Sequence, residues 1–213
     1  MCGRLNIYDP ERIDQFLLEL ELPGYPARPP QYNVPPQTLL PIITTPITRL
    51  EGQWGIEFGK FRHPNSKAAT IKVKPHLQHL FKQQRCIVPA NRFYEWPDPK
   101  ARPDYQGIKT RFCIHNQDDV LLLGGIYKRN EEKQLYQFNI ITTDPSPEIN
   151  KFHHRMPVII DPAQARIWLE SDDNEELYDL MTPSQQALII YECDPWVDNA
   201  RHEGPECMAP LPH

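Results

Sequence analysis

The second residue of the sequence combines two nucleophiles that no internal residue offers together. Cys2 follows Met1 directly, and an initiator methionine is generally removed when the next residue is small. Removal leaves a free α-amine beside the thiol, whereas the nitrogen of an internal cysteine is held in an amide. An aldehyde condenses with the amine to a Schiff base, and the thiol then closes on the same carbon to give a five-membered thiazolidine. Position 2 therefore predicts covalent chemistry at the start of the chain.

Two further side chains are candidates for proton transfer. Glu95 is flanked by aromatic residues in the segment 93–96, and an apolar environment raises a carboxyl pKa towards neutrality. His153 carries an imidazole, whose ordinary pKa of about 6.5 lets it donate or accept a proton at neutral pH. A glutamate at the surface end of a strand and an ordinary core histidine are the alternatives, and the adjacent His154 has the same chemistry.

A set of seven short motifs runs in order from residue 2 to residue 157, within a resemblance that extends to Pro210. The motifs are Cys2-Gly3-Arg4, Tyr32-Asn33-Val34 before Pro35, Trp54-Gly55, Arg85-Cys86, Phe93-Tyr94-Glu95-Trp96, Ile141-Thr142-Thr143 and His153-x-Arg155-Met156-Pro157. In this order, with the cysteine at position 2, they resemble the SRAP family, the SOS response-associated peptidases or abasic-site processing proteins.

The resemblance implies a function in the DNA damage response. It implies one SRAP-like domain over residues 1–213, with a barrel-like β core, surrounding helices and a positively charged channel for single-stranded DNA. In that family the N-terminal cysteine crosslinks to the ring-opened sugar of an abasic site and thereby protects the site. The motif register implies four catalytic residues, which are Cys2, Asn65, Glu95 and His153. It selects His153 rather than the adjacent His154. The DNA-binding residues implied are Arg4, Lys67, Lys74, Trp54, Trp96, Thr142 and Arg155.

The chain departs from the family pattern near Asn65. The family places a substrate-positioning asparagine in an Asn-x-Arg segment, but here lysine stands at Lys67 and alanine at Ala69, where glutamate is usual. Lysine keeps the charge and loses the bidentate geometry of arginine. Of the two tryptophans we expect one to stack on a base, Trp96 in preference to Trp54. No metal or cofactor is expected, because the pair His76 and His79 lacks a third ligand at a suitable spacing.

Two other functions compete with the crosslinking hypothesis. The first is an N-terminal-cysteine peptidase or autopeptidase, in which the amine of Cys2 is the base and Glu95 and His153 assist. The second is a non-catalytic binder of single-stranded or modified DNA, which needs no cysteine at position 2. A peptidase has no need of a basic segment such as the one between Phe58 and Tyr94, which is described next. This segment favours a DNA partner.

The charge of the chain is unevenly distributed. The net charge is −5 at pH 7, which at first disagrees with DNA binding. Between Phe58 and Tyr94, however, no acidic residue occurs, and the segment from Glu170 onward is strongly acidic. The basic residues of the first segment are Lys60, Arg62, Lys67, Lys72, Lys74, Lys82, Arg85 and Arg92. Without a leader, a long apolar run or paired cysteine motifs, we expect a soluble, monomeric, cytoplasmic protein that joins the nucleoid when bound to DNA.

Local patterns predict an α+β domain with a mainly antiparallel sheet. A helix should begin at Pro10, capped by Asp9, and an irregular proline-rich connector should follow over residues 23–36. Thr38–Ile43 should be an edge strand because it contains Pro41. Further strands are predicted at Thr70–Lys74, Arg85–Ala90, Arg111–His115, Val120–Leu123 and Leu135–Thr142, and further helices after Pro75, Asp161 and Thr182.

Overall fold

Short strands make up most of the regular structure. The computed structural model describes residues 2–98 and 110–211. The strands are β1 (Leu5–Ile7), β2 (Gln31–Val34), β3 (Leu39–Thr44), β4 (Thr48–Trp54), β5 (Ile56–Phe58), β6 (Phe61–His63), β7 (Asn65–Lys67), β8 (Arg85–Ala90), β9 (Arg92–Glu95), β10 (Phe112–Asn116), β11 (Leu121–Asn130), β12 (Leu135–Thr143), β13 (Met156–Pro157), β14 (Ile159–Ile160) and β15 (Leu188–Glu192). The helices are α1 (Pro10–Glu19), α2 (Ala68–Ile71), α3 (Pro75–Gln83), α4 (Ala165–Glu170) and α5 (Asn174–Asp179).

Five strands close into a barrel. β12, β4, β3, β8 and β11 pair in this order, and β11 pairs with β12 again to complete the ring. All these pairings are antiparallel except that of β12 with β4. Closure leaves no unpaired barrel edge, and the interior is filled by apolar side chains that include Trp54 and Phe138. The predicted α+β class with a mainly antiparallel, barrel-like core is confirmed.

A second sheet carries the start of the chain. Its strand order is β15-β10-β9-β1-β2. β1 runs antiparallel to β9, with Leu5 opposite Phe93, and the amide of Tyr94 donates to the carbonyl of Arg4 at 3.0 Å. This register places the residues before Leu5 alongside the end of β9, where Glu95 lies.

A buried arginine ties α3 and α4 to the barrel. Arg85 opens β8 and is 1% exposed. Its guanidinium donates to the carbonyls of Trp168 at 2.6 Å, Phe81 at 2.8 Å, Lys82 at 3.0 Å and Ser171 at 2.6 Å. These bonds satisfy carbonyls at the ends of both helices, so the charge is held by oriented dipoles.

Most of the predicted elements are present. The Asp9 carboxylate accepts from the amide of Arg12 and caps the helix that begins at Pro10. The helix after Pro75, the strands predicted around residues 85–90, 111–115, 120–123 and 135–142, and the capped turn at Asp161 are confirmed. The connector over residues 23–36 is irregular as predicted, except that it contains β2.

The edge position predicted for Thr38–Ile43 is wrong. β3 lies inside the barrel between β4 and β8. Its pairing with β8 is confined to Ile43 and Thr44, so Pro41 occupies the part of the strand that pairs with β4 alone. A missing amide hydrogen is tolerated there because no second ladder requires it.

Two other predictions are also wrong. Residues 70–74 contain the end of α2 and a turn rather than a strand, and Val73 is 71% exposed while Ile71 is fully buried. A five-residue alternation does not distinguish a strand from one turn of helix. No helix follows Thr182, where the described chain is irregular up to Leu188.

Among the described helices, none has the length and apolar character needed to cross a bilayer.

Replacing Arg85 with methionine should destabilise the fold by roughly 3 kcal/mol, because four carbonyls, two of them in buried hydrogen bonds and two in partly buried ones, lose their donor. The measurement is urea unfolding followed by tryptophan fluorescence. Lys82→Met, at an exposed position in α3, is the matched control and should change the free energy of unfolding by less than about 0.5 kcal/mol. Equal stabilities of the two variants would contradict the role given to Arg85.

Candidate active site

Cys2 lies in the interior beside the barrel. Its exposed fraction is 0%, and its carbonyl accepts a hydrogen bond of 2.8 Å from the Asn65 Nδ2. Asn65 begins β7, which pairs with β12 of the barrel. The other amide atom of Asn65, Oδ1, is buried and has no hydrogen-bond partner among the residues described. Asn65 therefore fixes the backbone of Cys2 and keeps an acceptor for another group.

Glu95 and His153 form a buried pair near Cys2. The Nε2 atom of His153 lies 3.6 Å from Oε1 of Glu95, and the side chains are 3% and 4% exposed. The Nδ1 atom of His153 faces the backbone of Arg155, 2.7 Å from its carbonyl oxygen and 3.1 Å from its amide nitrogen. This contact orients the ring so that Nε2 points to the carboxyl group. Distances of this length shorten when a substrate completes a site.

Burial controls the protonation of this cluster. It raises the pKa of Glu95 and lowers the pKa of His153 to about 4. It also raises the pKa of the Cys2 thiol, which the negative charge of Glu95 raises further. In each case removal from water penalises the charged form. At neutral pH the imidazole and the thiol are therefore neutral, and Glu95 holds a proton more readily than an exposed glutamate does.

Asp98 and His154 extend the cluster towards the surface. Oδ2 of Asp98 lies 3.0 Å from Nδ1 of His154 and 3.9 Å from Nε2 of His153. The rings of His153 and His154 stack with centroids 4.8 Å apart. A backbone bond of 2.9 Å from the Asp98 amide to the Phe152 carbonyl holds the two segments together. Sequence reasoning missed Asp98, and it placed His154 outside the site.

Among the described residues, Asp98, His153 and His154 come nearest to forming a metal-binding cluster. The ligand atoms of Asp98, His153 and His154 all lie within 4.8 Å of one another. Two ligands of a tetrahedral zinc ion stand about 3.3 Å apart, whereas Asp98 and His154 are separated by 3.0 Å. That contact has the length of a direct interaction between carboxylate and imidazole.

The residues predicted to bind DNA occupy three kinds of position. Lys67 and Lys74 are exposed, at the end of β7 and before α3. Arg4 is partly buried: it donates to Oδ1 of Asn33 at 2.7 Å, and its guanidinium lies 5.8 Å from the ring centroid of Trp96. Trp96 is itself partly buried.

Arg155 is only 8% exposed. The pKa of its guanidinium is lowered overall, because burial outweighs the opposite effect of the nearby Glu95 and Asp98 carboxylates. Arg155 therefore lies beside the buried Glu95–His153 pair. An arginine that binds phosphate at the surface would be more exposed.

Two of the predicted DNA contacts are corrected by the structure. Trp54 is 0% exposed, lies parallel to Phe138 with ring centroids 6.5 Å apart, and donates to the Pro64 carbonyl at 2.9 Å. Thr142 is 1% exposed, and its hydroxyl lies 3.4 Å from the carbonyl of Ser66. Both side chains are part of the barrel interior and its pairing with β7, and neither is exposed to solvent in this structure.

The basic segment divides into structural arginines and exposed lysines. Arg62 pairs with Glu57, and Arg92 pairs with Asp119 at 3.1 Å. Arg85 is buried beneath α4, as described above. The positions that remain exposed are Lys60, Lys67, Lys72, Lys74 and Lys82. The lysines rather than the arginines therefore supply the positive surface of this segment.

A barrel with an N-terminal cysteine beside a buried glutamate–histidine pair defines the class of domain, and the comparison with known families agrees. The family described as SOS response associated peptidase (SRAP) matches residues 1–200. The chain belongs to the SRAP family.

Relatives of known name cover almost all of the chain. The abasic site processing protein YoqW of Bacillus subtilis (strain 168) is 30% identical, over 98% of this chain and 99% of the relative. The abasic site processing protein HMCES of Xenopus tropicalis is 25% identical, over 85% of this chain and 66% of the relative.

Solved structures share the fold at low sequence identity. A protein of Bacteroides thetaiotaomicron superposes with a TM-score of 0.72 at 23% identity, covering 85% of this chain and 86% of its own. A phage-related protein of Bordetella bronchiseptica gives a TM-score of 0.73 at 22% identity, covering 95% of this chain and 99% of its own.

The buried imidazole should make the fold sensitive to mild acid. Between pH 6.5 and about 4 the unfolded chain binds a proton at His153 that the folded protein does not bind, so acidification through this window favours unfolding. Urea unfolding of the wild type should therefore show a steeper loss of stability from pH 6.5 to about pH 4.5 than His153→Gln. His79→Gln, at an exposed position, should follow the wild type. The same slope in all three proteins would be inconsistent with a neutral, buried imidazole.

Proposed function

We propose that the chain, once Met1 is removed, is an abasic-site sensor that forms a covalent DNA–protein crosslink. The α-amine and thiol of Cys2 would close a thiazolidine on the ring-opened sugar of an abasic site in single-stranded DNA and so shield the site. Membership of the SRAP family supports this, and so do relatives named abasic site processing proteins. The observation that carries the proposal is the meeting of Cys2, Asn65, Glu95 and His153, which come from distant parts of the sequence.

The protonation states suit the steps of such a reaction. An abasic sugar is mostly a closed hemiacetal, so its aldehyde appears only when a proton is moved between ring oxygen and hydroxyl. A glutamate whose pKa is raised by burial can give and retake this proton. The neutral imidazole of His153 can accept a proton when the amine of Cys2 attacks the carbonyl carbon. Asn65 holds the carbonyl of Cys2 while the amine and thiol act on the same carbon.

The state of the thiol favours attack by the amine first. A cysteine that acts as a thiolate nucleophile, as in a peptidase, normally has a lowered pKa. Burial and Glu95 shift the pKa of the Cys2 thiol in the opposite direction. A neutral thiol is adequate for the second step, since it adds to an imine that the amine has already formed. The peptidase alternative receives no comparable support from the geometry.

Single-stranded DNA fits the surface around the site. Exposed Lys67 and Lys74 can neutralise backbone phosphates, with a corresponding sensitivity to salt. Trp96 lies against Arg4 and donates from Nε1 to Oδ1 of Asp198 at 2.8 Å, and a flexible strand could place a base against its partly exposed indole. A duplex would have to expose the sugar before it reached the interior position of Cys2.

The bond itself is tested with an abasic single-stranded oligonucleotide. The purified protein should have the intact mass expected after loss of Met1. After reaction this mass should increase by the mass of the oligonucleotide less one water, and the adduct should survive heating. Cys2→Ala keeps an amine but no thiol, so it should give only a Schiff base that borohydride must trap. Cys86→Ala, which removes a buried cysteine in β8, is the control and should crosslink fully. A heat-stable adduct from Cys2→Ala at the wild-type level would rule out the thiazolidine, and cleavage of casein without any adduct would favour the peptidase.

Glu95→Gln should separate proton transfer from DNA binding. The amide keeps the shape of the carboxyl group but cannot exchange the proton that opens the sugar, so crosslinking should slow by roughly 10²–10⁴-fold. Affinity for the undamaged strand, measured by fluorescence anisotropy, should not change. Glu192→Gln, an exposed position in β15 of the same sheet, should crosslink at the wild-type rate. Full-speed crosslinking by Glu95→Gln would assign the general-acid role to another group.

A further inference from the structure

Four titratable side chains form a row from the interior to the surface. His153 and Glu95 are 3% and 4% exposed, Asp98 is 23% exposed and His154 is 36% exposed. The successive separations are 3.6 Å from Glu95 to His153, 3.9 Å from His153 to Asp98 and 3.0 Å from Asp98 to His154. Exposure thus rises from the buried Glu95–His153 pair to Asp98 and then to His154.

The crosslinking reaction releases a proton in the interior. The α-amine of a protein has a pKa of about 7.7–8.0, so it is mostly an ammonium group at neutral pH. An ammonium group, a thiol and an aldehyde give a neutral thiazolidine, one water and one proton. The C–N and C–S bonds form, the carbonyl oxygen leaves as water, and the thiol proton replaces one lost from nitrogen. The remaining proton must leave a site that is closed to solvent.

We propose that Asp98 and His154 are relay residues that carry this proton from His153 to the surface. The proposal rests on the crosslinking function put forward above. His153 accepts the proton at Nε2, which is the atom that faces both carboxylates. Asp98 passes it to Nδ1 of His154, and the partly exposed ring of His154 exchanges it with buffer.

The geometry suits each transfer. The contact of 3.0 Å between Asp98 and His154 has the length needed for proton transfer, and a small rotation of the imidazole would align it with the carboxylate. The separation of 3.9 Å between His153 and Asp98 is one that a water molecule or a small rotation bridges. The guanidinium of Arg155 lies close enough to Glu95 and Asp98 to interact with both carboxyl groups, so a positive charge stands beside the row.

A purely structural role explains the arrangement less well. An ion pair between partly exposed groups contributes only about 0–1 kcal/mol to stability. The fold of this region is instead held by the backbone bond from Asp98 to Phe152, which side-chain substitutions leave in place. His154→Gln and Asp98→Asn should therefore fold normally, which unchanged thermal unfolding would verify.

Chemical rescue tests the relay. The proteins are mixed with abasic single-stranded DNA at neutral pH in a dilute, bulky buffer, and the rate of heat-stable adduct formation is measured. His154→Gln and Asp98→Asn should crosslink about tenfold more slowly than the wild type, with unchanged affinity for undamaged DNA. Added imidazole, which can carry protons from the pocket, should restore most of the rate. His79→Gln should match the wild type with and without imidazole.

Each contrary result has a distinct meaning. Wild-type rates for both variants in the dilute buffer would overturn the relay. A slow rate that imidazole does not restore would also overturn it, because a misplaced His153 cannot be replaced by a diffusing base. Both results leave the crosslinking function intact, since the wild type still forms its adduct. Absence of a heat-stable adduct from the wild type would overturn the proposed function, and the relay with it.

Discussion

Leu5 pairs with Phe93 in adjoining antiparallel strands, and this register determines what the N-terminus meets. Because β1 is only three residues long, the chain before it has little freedom to choose another neighbour. The hydrogen bond from Tyr94 to Arg4 extends the pairing towards the first residues. Asn65 then holds Cys2 from the other side, from a strand that belongs to the barrel sheet. The site therefore depends on two sheets that meet at one residue.

Exclusion of water is the second constraint. Burial moves the pKa of Glu95 upward and that of His153 downward, so both groups are driven towards their neutral forms by one cause. A neutral acid beside a neutral base can exchange protons with a substrate without first losing an ion pair. Arg155 offsets part of this effect at the carboxylates. The cluster thus combines a dry environment with the nearby positive charge of Arg155.

Local chemistry made some elements predictable and hid others. Asp9 and Pro10 fix the start of α1 because a cap and a ring-constrained φ act within one turn. Cys2 could be named as a candidate because the chemistry expected of it depends only on its place in the chain, and Glu95 because aromatic residues flank it in the sequence. Asp98 offered no such evidence: its role depends on a backbone bond to Phe152, far away in sequence. Sequence alone only ranked Trp96 ahead of Trp54 as a stacking residue, and the closure of the barrel shows that the Trp54 ring faces inward. The strand expected to stop at Leu123 continues through Gly125, where a Cβ would lie 2.6 Å from the Asn139 carbonyl, so this glycine serves close packing.

The complete burial of Cys2 bears on selectivity among small metabolites. An N-terminal cysteine in open solution condenses with whatever carbonyl compound it meets, and cells contain many sugars, keto acids and reactive aldehydes. The buried thiol of Cys2 is shielded from such encounters. Under the proposed crosslinking function, only a carbonyl that is carried inward by a larger molecule, held by contacts elsewhere on the protein, would reach this residue for long enough to react. Its interior position would then act as a kinetic filter that keeps the nucleophile uncapped until the DNA arrives.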